Sequence, residues 1–388
     1  MDVSKFAKKE ILAMGGGSAT RALVAPDPKM INLGAGDPDF NQPSFINKAV
    51  YDAMKQGYTH YDFTRPYPQF KQAIAEYYAK YGVKVATEQI CIESGGSQAI
   101  FRAFGAICNP GDEIVLMDPA YQGYNQPAAY FGAKLTRAPM KKDKHGLFRP
   151  NMENIRKACT PKTKAILICN PDNPAGTVWT EKELAGLAAI ANEKDVIVIA
   201  DEIYTEFVWG RKKHRPIINL PGMEDRTMVL MSFSKTFAWT GCRAGYVIAG
   251  PELSKLVNAV PVGITGMPVP FQVAGTVALQ RGWGFVKKMR STYKKRIDYT
   301  VKRLNEIKGM SCPYPEGAFY VFPDISSYGV PSAKFAADLV AQEKLRGAAG
   351  TQYGPTGEGN IRFALVDSMD RLEEAWDRLE RFTRKLKK

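Results

Sequence analysis

The sequence predicts an α/β protein, with a mostly parallel sheet in a large first part and a smaller α+β part after it. Three observations lead there. Short apolar runs, most of them rich in Val and Ile, recur through the middle of the chain and alternate with helical spacing. Buried parallel strands covered by helices give that rhythm. After about residue 285 it gives way to longer charged helical stretches separated by single strands. Finally, 388 residues with 45% hydrophobic and 24% charged side chains suffice for one large and one smaller domain with a sizeable core.

Taken in order, Met1 to Met14 mixes Lys5, Lys8, Lys9 and Glu10 with apolar residues. It reads as a short amphipathic helix, without the apolar core of a signal peptide. Gly15–Gly17 reads as a flexible link to the body. The expected strands are Ile90–Glu93, Ile114–Met117, Ala165–Cys169, Val196–Ala200, Met228–Met231 and Gly245–Ala249. Ala99–Ile107 and Glu181–Glu193 have helical patterning, and the second places Leu184, Leu187, Ala188 and Ile190 on one face. A long charged helix follows at Phe285–Lys308, then strand Ala318–Phe322, helix Ala333–Glu343, strand Ile361–Leu365 and a closing helix Met369–Lys385. The expected division is an N-terminal arm, 1–40, joining the smaller domain, a large domain, 41–285, and the smaller domain, 286–388.

Composition removes several function classes. No stretch approaches the roughly 18–20 uncharged apolar residues that span a bilayer, so no membrane partner is expected. Six scattered cysteines (Cys91, Cys108, Cys159, Cys169, Cys242 and Cys312) form no CxxC pair. That argues against a disulfide framework or zinc site and fits a cytoplasmic protein. His60, His145 and His214 lie far apart, which disfavours a metal centre or a histidine-based triad. The formal charge of +14 is spread along the chain, apart from Arg211–Lys213 and Lys385–Lys388, which read as solvated ends. Nucleic acid is therefore not the expected partner; attraction of anionic small molecules is the other reading.

The chemistry gathers at strand ends. Ala165–Cys169 leads into Asn170-Pro171-Asp172-Asn173-Pro174-Ala175-Gly176; Val196–Ala200 ends at Asp201, with Tyr204 three residues on; Met228–Met231 ends at Ser232-Phe233-Ser234-Lys235. Ligands of parallel sheets sit beyond the carboxyl ends of the strands. An amide, a carboxylate, a phenol and an amine converging there suit a protonated pyridine bearing a phenolic oxygen, an aldehyde and a phosphate, which is pyridoxal 5′-phosphate. Lys235 would condense with the aldehyde, its acidity raised by burial and by cations such as Arg243. Asp201 would hold the proton on the ring nitrogen and so keep the ring an electron sink. Asn173 and Tyr204 can donate to the phenolic oxygen. Gly96, Ser97 and Gln98, at the start of a helix, offer N–H groups to the phosphate, and Ser232, Ser234 and Arg243 can supply hydroxyls and a fixed cation.

These residues carry a resemblance. Ser232-Phe233-Ser234-Lys235-Thr236-Phe237, followed by Gly241-Cys242-Arg243-Ala244-Gly245-Tyr246, resembles the cofactor-attachment motif of class I/II aminotransferases, fold-type-I pyridoxal-phosphate enzymes. Further motifs occur in the family's order over nearly the whole chain. Ile31 to Phe40 is similar to the N-terminal substrate loop, whose Gly36 would offer backbone to the substrate carboxylate. Tyr61 matches the tyrosine that reaches the phosphate from a partner subunit, and Tyr121 the aromatic residue stacked on the ring. Pro315 to Tyr320 is similar to a strand of the small domain. Arg362, in Gly357-Glu358-Gly359-Asn360-Ile361-Arg362-Phe363, matches the arginine that grips the substrate α-carboxylate, and Asn173 is counted with Gly36 and Arg362 among the substrate-binding residues.

The resemblance implies a homodimer that moves an amino group between an L-amino acid, of aspartate or aromatic type, and a 2-oxo acid such as 2-oxoglutarate, with Lys235 as the catalytic acid and base. A β-eliminating lyase or decarboxylase on the same scaffold is the alternative, and a cofactor-sensing regulator would need a DNA-binding module for which residues 1–30 are too short. Plainer readings stand beside several residues: Asp201 as a helix N-cap, Asn173-Pro174 as a turn, Tyr121 and Tyr61 as packing residues, Arg21 and Arg65 as solvated charges instead of selectors of an anionic side chain. The sequence departs from the family pattern at Ala175, where threonine is usual, and at Pro66, where glycine is common.

Overall fold

The computed structural model describes Lys5 and residues 27–60, 67–261 and 266–386. Gly15–Gly17, Arg21, Tyr61, Arg65, Pro66 and, apart from Lys5, the expected N-terminal helix lie outside the described residues.

The chain enters with β1 (Ile31–Asn32), α1 (Ser44–Lys55) and α2 (Pro68–Ala79). A seven-stranded sheet is then built from β2 (Ile90–Glu93), β3 (Glu113–Asp118), β4 (Lys134–Pro139), β5 (Thr163–Cys169), β6 (Ile197–Asp201), β7 (Thr227–Ser232) and β8 (Gly245–Ala249), with α3 (Gly96–Ile107) directly after β2, α4 (Glu181–Lys194) between β5 and β6, and α5 (Pro251–Ala259) after β8. The spatial order is β2-β8-β7-β6-β5-β3-β4. All neighbours pair in parallel except β8, which runs antiparallel to both β2 and β7. The six expected strands are all present, and the sheet is mostly parallel as expected. Its central strands β3 and β7 are buried along their whole length, because helices cover both faces.

Local sequence explains the helix ends. The Thr180 hydroxyl accepts from the Glu183 N–H while the Glu183 carboxylate accepts from the Thr180 N–H, a reciprocal box that starts α4. Asp195 closes the same helix in the left-handed region, φ 49°. The long α7 (Trp283–Glu306), which follows α6 (Val269–Arg281), buries Val286, Met289, Tyr293, Ile297, Thr300 and Leu304, one stripe at helical spacing.

The C-terminal part adds β9 (Tyr320–Val321), α8 (Ser332–Glu343), β10 (Leu345–Arg346), β11 (Ala348–Ala349), β12 (Ile361–Ala364) and α9 (Met369–Leu386). β12 is central in an antiparallel sheet between β9 and β11. β9 is shorter than the expected Ala318–Phe322 strand; Ala318 has φ 57°, outside the extended region. β1 pairs in parallel with β10, and Arg296 of α7 holds both carboxylate oxygens of Asp39 at 2.7 Å. The N-terminal loop is thereby fastened to the C-terminal part. Among the described residues no helix is long and apolar enough to cross a membrane.

Candidate active site

The parallel strands deliver their last residues to one edge of the sheet. Cys169 lies opposite Asp201 across β5 and β6, Asp201 opposite Leu230 across β6 and β7, and Ser232 opposite Gly245 across β7 and β8. A cleft of about 530 Å³ opens beyond that edge, walled by the strand ends, the 34–37 loop, the first turn of α3 and residues of the C-terminal part. A pocket of this size suits a cofactor with a small substrate.

Lys235 stands in the one-turn helix Phe233–Thr236, whose start is capped by Ser232: the Ser232 hydroxyl accepts from the Ser234 N–H at 3.1 Å. Its ammonium donates to the Gly36 carbonyl at 2.6 Å. Burial brings its pKa down to about 8; Arg362 and Arg243 push the same way, while Asp37 and Asp201 oppose. Relative to an ordinary lysine at 10.5, the neutral, nucleophilic fraction at neutral pH rises about 300-fold.

Asp201 is buried and accepts the Tyr124 hydroxyl at 2.7 Å and the Ile203 N–H at 3.3 Å. Burial pushes its carboxyl up to about 6, with those two bonds opposing. Its surroundings therefore leave room for a cation, which a protonated ring nitrogen would provide. Tyr124 escaped the sequence reading; its signal is the position three residues after Tyr121, in a short helical turn that brings both rings to the cleft, 5.4 Å apart and edge to face.

The anion cup is built on glycines. Gly95 has φ +87°, and a Cβ there would stand 2.7 Å from Arg243 Nη2; only glycine lets the guanidinium lie so close to the start of α3. Gly245 likewise lies against the Gly95 backbone. Arg243, at φ 54°, is fixed by donating to the Thr240 carbonyl at 2.7 Å. The Ser232 hydroxyl lies 2.8 Å from that of Ser234. Gly96, Ser97, Ser232, Ser234 and Arg243 all line the cleft. Gln98 does not: its side chain turns back to accept the Ser94 N–H. It can serve an anion only through its own N–H in the first turn of α3.

Arg362 enters from β12. Its guanidinium donates to Asn173 Oδ1 at 3.1 Å and to the Gly34 carbonyl, and it lies over the rings of Tyr320 and Tyr353, 4.4 and 5.2 Å from their centroids. Nε is buried without a partner, so the group keeps donor capacity for a carboxylate. Gly36 packs on Tyr320, and any Cβ would overlap its hydroxyl. Tyr204 and Tyr320 join hydroxyl to hydroxyl at 2.6 Å. Asp37, bonded to Thr240 at 2.8 Å, closes the wall. Tyr121, Asn173 and Tyr204 line the cleft as expected, whereas Tyr61 lies outside the described residues. Tyr353, Asp37 and Thr240 went unread because their place depends on loops meeting from distant parts of the chain.

An amine with lowered pKa, a buried carboxylate, an anion cup and a free guanidinium donor fit pyridoxal 5′-phosphate together with an amino acid carboxylate. Comparison with known proteins agrees. Residues 28–379 match the family described as aminotransferase class I and II. The chain is 35% identical to an aspartate aminotransferase of Pyrococcus horikoshii, covering 91% of this chain and 90% of that one. It is 34% identical to aromatic-amino-acid aminotransferase 2 of Thermococcus litoralis, covering 92% of each. The solved aromatic aminotransferase from Pyrococcus horikoshii superposes with a TM-score of 0.89 at 34% identity, over 93% of this chain and 97% of that one. The chain belongs to the class I and II aminotransferase family and is a pyridoxal-5′-phosphate-dependent transferase.

Proposed function

We propose that the enzyme transfers the amino group of an L-amino acid of aspartate or aromatic type to a 2-oxo acid, with 2-oxoglutarate as one acceptor. The observation that carries this reading is that Lys235 and Arg362 open on the same cleft while Asn173 ties Arg362 to the strand-end loop after β5. When bound, the cofactor supplies an aldehyde for the amine and an electron sink for the charge left at the substrate's Cα.

The chain's own residues do the rest. Arg362 takes the α-carboxylate through two parallel N–H bonds and so fixes the orientation of Cα. Lys235 Nζ would take the proton from Cα of the amino donor and deliver it to the cofactor's former aldehyde carbon, and would run the same transfer in reverse for the 2-oxo acid; a pKa of about 8 suits both directions near neutral pH. Asp201, held by Tyr124, would face the ring nitrogen. Asn173 and Tyr204 would face the phenolic oxygen and Tyr121 the ring. Gly96, Ser97, the Gln98 N–H, Ser232, Ser234 and Arg243 would hold the phosphate. Gly36 would meet the substrate carboxylate through its backbone.

The cleft wall supports an aromatic side chain: among the described residues its cations are Lys235, Arg243 and Arg362, and Tyr121, Tyr320, Tyr353, Ile100 and Ile203 share the surface. A distal carboxylate, aspartate's or 2-oxoglutarate's, needs a further cation, for which Arg21 and Arg65 are the candidates. The reading includes a homodimer in which Tyr61 reaches the partner's site, a cytoplasmic setting with six free cysteines, and domain limits at 40/41 and 285/286. Sedimentation with activity checks the dimer; a fully active monomer contradicts it. Adding L-glutamate to the yellow holoenzyme is expected to bleach the visible band with release of 2-oxoglutarate alone. Release of ammonia or carbon dioxide would replace transfer by elimination or decarboxylation. A panel of 2-oxo acids then ranks the partners.

A further inference from the structure

We propose that Tyr320 is a positioning residue for the cofactor: its hydroxyl donates to the Tyr204 hydroxyl and thereby turns the Tyr204 proton into the cleft, toward the cofactor's phenolic oxygen. The proposal rests on the reading of Tyr204 given above. The two hydroxyls lie 2.6 Å apart, both side chains are buried, and both line the cleft. Among the described residues each hydroxyl has the other as its hydrogen-bond partner. A phenol has one proton. If Tyr204 gave its proton to Tyr320, it would face the cleft only as an acceptor; if Tyr320 gives, Tyr204 keeps a donor for the cofactor.

Arg362 decides the direction. Its guanidinium lies 4.4 Å from the centre of the Tyr320 ring, and a cation at that distance makes a phenol the better donor. Burial raises the pKa of both tyrosines; at Tyr320 the opposing pull of Arg362 ranks next after burial, whereas at Tyr204 it comes last of the named influences. The Tyr320 hydroxyl is also held from behind. The 34–37 loop packs its Gly36 backbone so closely that any Cβ there would overlap this oxygen. The stacking of Tyr204 and Tyr320, edge to face at 5.6 Å, fixes the two rings relative to each other.

The consequence is spectroscopic. A donor to the phenolic oxygen favours its anionic form, so it lowers the pH at which the Lys235-bound chromophore loses its proton. Tyr320→Phe removes the hydroxyl without changing the ring, leaving Tyr204 a weaker or misdirected donor. The visible-band titration of the holoenzyme is expected to move upward by about 0.5–1 pH unit, the size of one neutral hydrogen bond. In a Tyr204→Phe background the same change at position 320 should move nothing, because the effect passes through Tyr204. Replacing Tyr320 by 3-fluorotyrosine, a stronger donor of nearly the same shape, should move the midpoint downward, which a merely structural role would not do. An unchanged midpoint in Tyr320→Phe overturns the proposal. So does a shift that persists undiminished without the Tyr204 hydroxyl, or a fluorotyrosine enzyme that titrates like the wild type. The wild-type titration is the control for the cofactor reading itself: a band that forms and titrates there leaves only the Tyr320 assignment at stake.

Discussion

Asp201→Asn is expected to make the cofactor-free protein more stable at neutral pH while it disables catalysis. The carboxyl titrates at about 6 in the folded chain against an ordinary 3.8. A raised carboxyl pKa means the folded state binds the extra proton. The associated stability is therefore fully present below pH 3.8 and is lost as the pH rises through about 6. The difference corresponds to about 3 kcal/mol that the ionised form costs at neutral pH. Asparagine copies the shape of the neutral acid and does not titrate. The stability gap between variant and wild type should thus widen with pH, by about 2 kcal/mol between pH 4.5 and 7.5. With its oxygen toward the Ile203 N–H, the asparagine can donate its N–H to the Tyr124 hydroxyl, as the O–H of the neutral acid can, so these two contacts add no pH dependence. Urea unfolding of the two apoproteins at both pH values measures the gap. Meanwhile transamination should fall by two or more orders of magnitude, as when one preorganised electrostatic partner is removed. A gap that stays constant across this pH range would refute the assignment of a strained, ionised carboxylate to position 201.

Other substitutions separate the roles. Tyr124→Phe removes the 2.7 Å bond to Asp201, and the acid limb of cofactor binding to the apoprotein should move upward by about one pH unit, read by fluorescence titration. Lys235→Ala should leave the cofactor bound without a borohydride-stable adduct, and peptide mapping of the wild type should place that adduct at position 235. In the wild-type apoprotein, acylation of this amine should show a midpoint near 8. Arg362→Lys loses the planar fork, so KM for both amino acid and 2-oxo acid should rise about 10–100-fold with a smaller change in kcat. Asp172→Asn should keep cofactor binding and activity within a few-fold and stabilise the protein toward neutral pH, because burial pushes this carboxyl up to about 7.

The continuous apolar strands were readable because a strand buried on both faces needs no alternation, and their ends placed Asn173, Asp201 and Lys235 in order along the chain. The edge strand Lys134–Pro139 was not, since most of its residues keep some exposure and its Lys, Thr and Arg mask the pattern. Nor was the packed group of Ser44–Lys55, Pro68–Ala79 and Val269–Arg281. Val269–Arg281 buries Gln272, Gly275 and Thr276 beside its apolar residues, which blurs the stripe that announces a helix. The reversed direction of Gly245–Ala249 depends on which strands it lies between, a tertiary fact. The meeting of Arg362 with Asn173 joins residues 189 apart in sequence; residue chemistry alone proposed neither partner for the other, and the family resemblance grouped both with the substrate without pairing them.

Perturbed acidity would not have found this site unaided. Burial pushes Glu93 and Asp172 up to about 7, further from their ordinary values than Asp172's neighbour in space, the catalytic-cleft carboxylate Asp201. Geometry tells them apart. Glu93 is answered by Arg102 at 3.0 Å, and Asp172 turns inward to accept the Ala175 N–H at 2.8 Å, which shapes the loop that carries Asn173. Neither lines the cleft. Asp201 alone of the three faces the space where a cation can come and go, with Lys235 and Arg362 across it. The protein therefore tolerates an unfavourable charge at a place where ligand binding relieves it. By linkage, that relief should appear as added stability of the holoenzyme, growing with cofactor concentration and diminished in Asp201→Asn, where no charge is left to relieve.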